Sequence, residues 1–218
     1  MLDFVRTWLF PPACVACDAP GPALCAACAP APRDAQTFSL DGVPGFALGP
    51  YDGALRRAIV AMKHGERDPL DAFADLLAAR AMIDGVLVPL PTSRGRAAER
   101  GFDQAVELAR RLAVRRGLAW AQLLVKRGAP QDRRTRRQRL DASGRFAIRR
   151  GAPLPDRVTL IDDVCTTGAT ARDAIRVLRA AGVDVRRLVV LARTPPDRRY
   201  SRTQAGERHA VPTPLKNV

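Results

Sequence analysis

No run of about 20 apolar residues occurs anywhere in this sequence, which excludes a membrane-crossing helix of ordinary length. The opening MLDFVRTWLFPPAC places Asp3 and Arg6 where a secretory leader needs an unbroken apolar stretch, so the expected compartment is cytoplasmic, with no membrane insertion. Histidine is nearly absent. The two present are His64, at a predicted helix end, and His209, near the C-terminus; both read as surface residues, and neither recommends itself as a general base. Seven Phe, two Trp and two Tyr leave little for a surface that grips bases by stacking. Acidic residues are also in deficit, 22 against 36 Lys and Arg, for a net charge of +14.

What is present supports one good core. With 218 residues, 47% of them hydrophobic, the chain can bury a domain and a small appendage without disulfides. The positive charge is concentrated: residues 126–150 hold ten basic residues against Asp132 and Asp141, a local excess of +8. Such a block either attracts a polyanion, a phosphorylated small molecule or nucleic acid, or is a solvated arginine-rich loop.

Four of the five cysteines form two close pairs, Cys14 and Cys17 in CVAC, then Cys25 and Cys28 in CAAC. Two such knuckles match tetrahedral Zn²⁺ ligation by four thiolates, a structural site closed to water. Two disulfides or an iron–sulfur cluster are the alternatives that the same residues allow. Flanking prolines and Gly21 supply turns and a linker. The expected organisation is a small four-cysteine zinc-binding module over 1–35, a second domain over 36–195 and a disordered tail over 196–218, rich in proline and charge.

The second domain alternates strand and helix patterns. Strands are expected at PGFALGPY (44–51), GVLVPLP (85–91), GRFAI (144–148), RVTLI (157–161) and RRLVVLA (186–192). AWAQLLVK (119–126) is a further strand candidate, with helix as the alternative. Helices are expected at 53–65, where Leu55, Ile59 and Met62 share a face, and after Asp68 and Pro69, which offer cap and first-turn residues. Two more are expected over 102–114, striped by Phe102, Val106, Ala109 and Ala113, and over 170–182. This order implies an α/β fold with a mainly parallel sheet covered by helices.

LIDDVCTTGAT, residues 160–170, carries the chemistry. It places Asp162 and Asp163 at the carboxyl end of an apolar strand, where open α/β sheets bind ligands. Thr166, Thr167, Gly168, Ala169 and Thr170 then lead into a helix, whose N-terminus can hold a phosphate on backbone N–H groups and hydroxyls. Paired carboxylates beside such a cradle suit vicinal sugar hydroxyls, directly or through Mg²⁺, so the composite ligand is a ribose 5-phosphate. Simple helix capping accounts for one carboxylate but not for two.

VTLIDDVCTTGAT (158–170) resembles the phosphoribosyl-pyrophosphate signature of type I phosphoribosyltransferases. Three further segments are similar to the ComF branch of that superfamily (ComFC/GntX-like): the CxxC knuckles, MKHGERDPLDAFADLLA and VPLPTSRGRAAERGFDQA. The resemblance implies a type I phosphoribosyltransferase-like fold and glycosyl-transfer chemistry with Mg²⁺ and an unidentified acceptor. It assigns Asp162 and Asp163 to the sugar and the catalytic centre, and 166–170 to the 5-phosphate. Residues 92–96, with Arg94 and also Arg100, go to the pyrophosphate, and Lys63 is a further cation candidate. Arg127, Gln131 and Arg137 fall in its flexible loop. The chain departs from many relatives at Cys165, which reads as a small buried hydrophobe. The same resemblance implies a link to competence or nucleotide metabolism, or alternatively a DNA-uptake factor that binds single-stranded DNA through its charge, with a non-catalytic nucleotide site and DNA-uptake proteins as partners.

Overall fold

The computed structural model describes residues 12–92, 98, 101–126 and 144–194. Strands β1 (Gln36–Leu40) and β2 (Val43–Pro50) form an antiparallel hairpin that turns through Asp41 and Gly42, both at positive φ. Strand β1 has no counterpart in the sequence-based expectation. Its QTFSL pattern is that of a half-exposed edge strand, with only Phe38 and Leu40 as apolar signal.

Helix α1 (Gly53–Lys63) buries Leu55, Ala58, Ile59 and Met62, the face that the sequence predicts plus one alanine. Helix α2 (Pro69–Arg80) begins at the expected proline, but Asp68 has helical backbone angles and makes no capping hydrogen bond. The start is therefore set by the ring of Pro69, whose fixed φ suits a first turn. Strand β3 (Val86–Pro89) follows, then helix α3 (Gln104–Arg116). The α3 stripe differs from expectation: Ala105, Leu108, Ala109, Leu112 and Ala113 are buried, Val106 is only half-buried, and Phe102 lies before the helix.

The strand expected over 119–126 is two separate pieces. Trp120 makes an isolated parallel bridge to Leu87, with Leu87 N–H donating to the Ala119 carbonyl and Ala121 N–H to the Leu87 carbonyl. The chain then leaves that sheet and forms β4 (Leu124–Lys126), which pairs antiparallel with β5 (Phe146–Ile148) in a ribbon of its own. Strand β6 (Arg157–Cys165), helix α4 (Ala169–Ala180) and strand β7 (Asp184–Arg193) complete the described chain.

The main sheet has the order β1-β2-β7-β6-β3, parallel everywhere except at the β1–β2 hairpin. Alternation along the strands divides the core in two. Leu48, Leu87, Ile161, Val189 and Leu191 meet α1, α2 and α3 on one face. Ala47, Val88, Val158, Leu160, Leu188 and Val190 meet α4 and the β4–β5 ribbon on the other. Phe146, 1% exposed, fastens that ribbon to the core, a burial that contributes roughly 1.5–3 kcal/mol.

The cysteine knuckle is part of the first of these cores. Cys14, Ala16, Leu24 and Cys28 are buried in the same cluster as Leu55, Ala58, Ile59 and Met62. Two arginines fasten it from outside: Arg57 Nε donates to the Ala16 carbonyl at 2.7 Å and Arg80 Nη1 to the Pro30 carbonyl at 2.7 Å.

Unequal strand lengths create the cleft. Strand β3 pairs with β6 only as far as Pro89 opposite Ile161, with one more bond from Leu90 N–H to the Ile161 carbonyl at 2.9 Å. On its other side β6 stays paired with β7 through Cys165 opposite Arg193. Residues 162–165 therefore present one bare flank. Asp162 and Asp163, expected beyond the strand end, are inside β6, on the part that outruns its neighbour.

Candidate functional site

A cleft of about 170 Å³ opens on that bare flank. Leu90, Pro91 and Thr92 wall it after β3, Asp103, Gln104 and Ala105 at the start of α3, Lys63 at the end of α1, Lys126 on β4, and Asp162, Asp163, Val164 and Thr170 on β6 and α4. Strand alternation sends the adjacent aspartates opposite ways. Asp163 shares the face of Ile161, where α1 ends, and its Oδ2 lies 2.9 Å from Lys63 Nζ. Asp162 shares the face of Leu160, where α4 begins, and its Oδ1 accepts the Asp163 N–H at 2.9 Å.

Burial, followed by the neighbouring charge of Asp163, raises the Asp162 carboxyl well above the ordinary carboxylate range; the Asp163 N–H and Lys63 oppose the shift, and Asp103 adds to it. A raised pKa means that the folded state holds this proton more tightly than the unfolded chain does. Stability is thus lost as pH rises above the unfolded value of about 3.9. The Asp162→Asn variant is expected to melt above the wild type at pH 8, with the difference shrinking towards pH 4. Melting curves across that range check this; a wild type that matches or exceeds the variant at pH 8 would contradict it.

A smaller recess of about 20 Å³ adjoins the cleft, bounded by Asp162, Cys165, Thr166, Gly168, Ala169, Thr170 and Ala171. Gly168 occupies the cap position of α4 at φ 76° and offers no side-chain cap, while Thr167 Oγ1 accepts the Ala169 N–H at 3.4 Å. A side chain at Gly168 would be strained by that angle, and its Cβ would come within 2.7 Å of Leu40 Cδ1. The loop is tied down from several sides. Arg172 Nη1 donates to the Thr167 carbonyl at 2.8 Å while its Nε lies 3.2 Å from Asp41 Oδ1, and Arg145 Nη1 donates to Thr170 Oγ1 at 3.2 Å. Cys165 is buried, and burial raises its thiol pKa, which fits a packing role.

Sequence reasoning passed over Asp103. Its Oδ1 accepts the N–H groups of Ala105 at 3.1 Å and Val106 at 3.4 Å, and its Oδ2 accepts the Thr92 N–H at 2.8 Å. An aspartate immediately before an apolar helical stripe is an N-cap signal, and that much could have been read locally. Lys126 and Arg145 also reach the site, one from each stem of the β4–β5 ribbon. Nearby, Arg67 Nη2 donates to the Gly101 carbonyl at 3.2 Å and its guanidinium stacks on the Phe102 ring at 4.6 Å. Arg94, Arg96, Arg100, Arg127, Gln131, Arg137, His209 and the tail over 196–218 lie outside the described residues.

The four N-terminal sulfurs all lie within 4.8 Å of one another, with Cys17 and Cys25 3.7 Å apart. Zn–S bonds of about 2.3 Å in a tetrahedron place sulfurs roughly 3.8 Å apart, so this cluster could hold a zinc ion. Burial raises the Cys14 thiol, but N–H donors from Cys25 and Ala16 and the neighbouring thiols outweigh it and lower the pKa to about 6. Cys28 is pushed up to about 12, first by the Cys17 thiol and then by burial. The cysteines that the sequence singled out do come together. No helix among the described residues is long and apolar enough to cross a membrane.

No family model matches the chain. Over 96 residues it is 35% identical to the competence protein ComFC of Streptococcus pneumoniae, a span of 44% of this chain and 42% of that one. Over 29 residues it is 69% identical to the orotate phosphoribosyltransferase of a Nocardioides species, covering 13% of this chain and 16% of that one. The chain thus spans less than half the length of these curated relatives. Among solved structures, the orotate phosphoribosyltransferase from Aeropyrum pernix aligns with a TM-score of 0.42 and 17% identity over 80% of this chain and 84% of that one. With its mainly parallel, helix-flanked sheet and its gathered cysteines, the chain resembles the ComF family of type I phosphoribosyltransferase-like proteins.

Proposed function

We propose that the cleft binds phosphoribosyl pyrophosphate, with Asp162 and Asp163 facing the sugar hydroxyls and residues 166–170 receiving the 5-phosphate. One observation carries this: Asp162 lines both the cleft that holds Lys63 and Lys126 and the recess at the start of α4. A ligand with a diol at one point and a phosphate about one sugar away matches a carboxylate that borders both spaces. The lysines supply charge for the anionic groups, and Asp163 must exchange or share its contact with Lys63 when a hydroxyl arrives.

Hard carboxylate oxygens at Asp162 and Asp163 suit Mg²⁺, which keeps several waters and binds through one or two carboxylates plus phosphates. When bound, it would neutralise the pyrophosphate leaving group. The residues of this chain would hold the sugar, orient C1 towards an acceptor and wall off solvent with Leu90, Pro91 and Val164. Arg94 and Arg100 belong to the same proposal as ligands of the pyrophosphate end, and Arg127, Gln131 and Arg137 belong to it as the basic loop that excludes water. Similarity to a competence protein favours a second reading, in which the site is non-catalytic and the chain holds single-stranded DNA electrostatically beside DNA-uptake proteins.

The test is a calorimetric titration with phosphoribosyl pyrophosphate, with and without Mg²⁺. Saturable one-to-one binding, stronger with Mg²⁺ and competed by ribose 5-phosphate, is expected. Absence of heat and of competition under both conditions would contradict the proposal.

A further inference from the structure

Two of the four clustered cysteines face water and two do not. Cys14 and Cys28, 0% and 8% exposed, are packed with Leu55, Ala58, Ile59 and Met62 of α1. Cys17 is exposed and Cys25 half-buried. This outer pair takes one sulfur from each knuckle, and the two sulfurs lie 3.7 Å apart. The fifth cysteine, Cys165, is buried in the other core. A thiol that a small oxidant can reach, with a second thiol beside it to resolve the product, is what reversible oxidation to a disulfide requires.

From this geometry we infer that Cys17 and Cys25 are a peroxide-sensitive modification site: oxidation joins them as a disulfide across the two knuckles and expels the metal. The inference rests on the zinc reading of the cluster and is independent of any ligand in the cleft. In the first step the Cys17 thiolate attacks a peroxide oxygen, the O–O bond breaks, and a sulfenic acid and hydroxide are formed. The Cys25 thiolate then attacks that sulfur; the S–S bond forms, the S–O bond breaks and a second hydroxide leaves. The two sulfurs together lose two electrons, and with two protons from solvent one peroxide becomes two waters. Only Cys14 and Cys28 remain as thiolates, too few to close a tetrahedral site, so the ion leaves as Zn²⁺. Ala16, adjacent to Cys17, gives its carbonyl to Arg57 of α1 at 2.7 Å, which passes a shift of the outer pair to that helix.

The test uses the full chain loaded with zinc and treated with a small excess of hydrogen peroxide. A chromophoric chelator follows released zinc, and mass spectrometry maps the disulfide. Cleavage before Asp18 separates the two knuckles, so a bond from Cys17 to Cys25 links two peptides, whereas a bond inside either knuckle links none. The expected result is loss of the bound zinc, one peptide pair joined through Cys17 and Cys25, Cys14, Cys28 and Cys165 still alkylated as free thiols after denaturation, and zinc binding restored by reduction. Cys17→His keeps a fourth ligand of a kind that zinc accepts and removes the exposed thiol. It should release metal about tenfold or more slowly at the same peroxide concentration. The map is read on the wild type and stands even where the histidine variant fails to fill with zinc. Zinc retained by the treated wild type, a disulfide confined to one knuckle, or equally fast release from a zinc-loaded Cys17→His variant would overturn the inference while leaving the zinc site standing. A wild-type chain that carries no zinc would overturn both.

Discussion

The double variant Asp162→Asn, Asp163→Asn is expected to bind phosphoribosyl pyrophosphate about a hundredfold or more weakly than the wild type, and to do so as a folded protein. In the proposed site each carboxylate would contribute a charge-assisted contact to a hydroxyl or to Mg²⁺, worth about 1.5–3 kcal/mol. Two such losses correspond to roughly 10²- to 10⁴-fold. Folding is spared for structural reasons. Asparagine at 162 still accepts the backbone N–H of position 163 that Oδ1 accepts now at 2.9 Å, and asparagine at 163 can accept the Val164 N–H, held now at 2.6 Å. The substitutions also remove two like charges from a half-buried position where burial and mutual repulsion oppose ionisation of Asp162. One cost is set against this: Lys63, 26% exposed, loses its partner Asp163, though its ammonium retains access to water. The melting temperature at about pH 7.5 should therefore equal or exceed that of the wild type while the binding heat disappears. Undiminished affinity in this variant would remove the aspartates from the site.

Withdrawing metal from the cysteine knuckle is expected to produce the second large effect. Protein purified without chelators is expected to contain one zinc per chain, and strong chelation should lower its melting temperature by roughly 8–16 °C. The figure follows from a ligand held about a thousandfold above its dissociation constant, which contributes about 4 kcal/mol, at about 2–4 °C per kcal/mol for a chain of this size. The loss extends beyond the knuckle because Cys14 and Cys28 are packed in the same cluster as Leu55, Ala58, Ile59 and Met62 of α1. Helix α1 ends in Lys63 at the cleft, so metal loss should also weaken ligand binding there. Acid should release the metal, since thiolate ligands must be deprotonated. A metal assay that finds no stoichiometric zinc, or a melting temperature indifferent to chelation, would contradict the structural role.

How far the sequence announced this architecture depends on the distance over which each feature is encoded. The 160–170 loop and the two cysteine pairs are contiguous motifs, and the structure brings the four cysteine sulfurs together as their spacing suggested. The buried face of α1 follows from helical periodicity, which is equally local. The cleft is not local. It exists because β3 has four residues and β6 has nine, a difference that no property of either strand reveals before they are paired. The contact of Lys63 with Asp163 joins residues far apart in the chain, and the bond from Thr92 to Asp103 joins residues 11 apart that no local periodicity pairs. The 119–126 stretch misled because an apolar run records burial, not which sheet does the burying. Here Trp120 and Leu124 serve two different sheets within one short run.

A crystal structure of the chain with ribose 5-phosphate tests the central claim most directly. The phosphate should rest at the N-terminal turn of α4, within hydrogen-bonding distance of groups in 166–170, and the ring hydroxyls should face Asp162 and Asp163. A ligand seated elsewhere on the chain, with those aspartates turned away from it and Lys63 still paired to Asp163, would contradict the account.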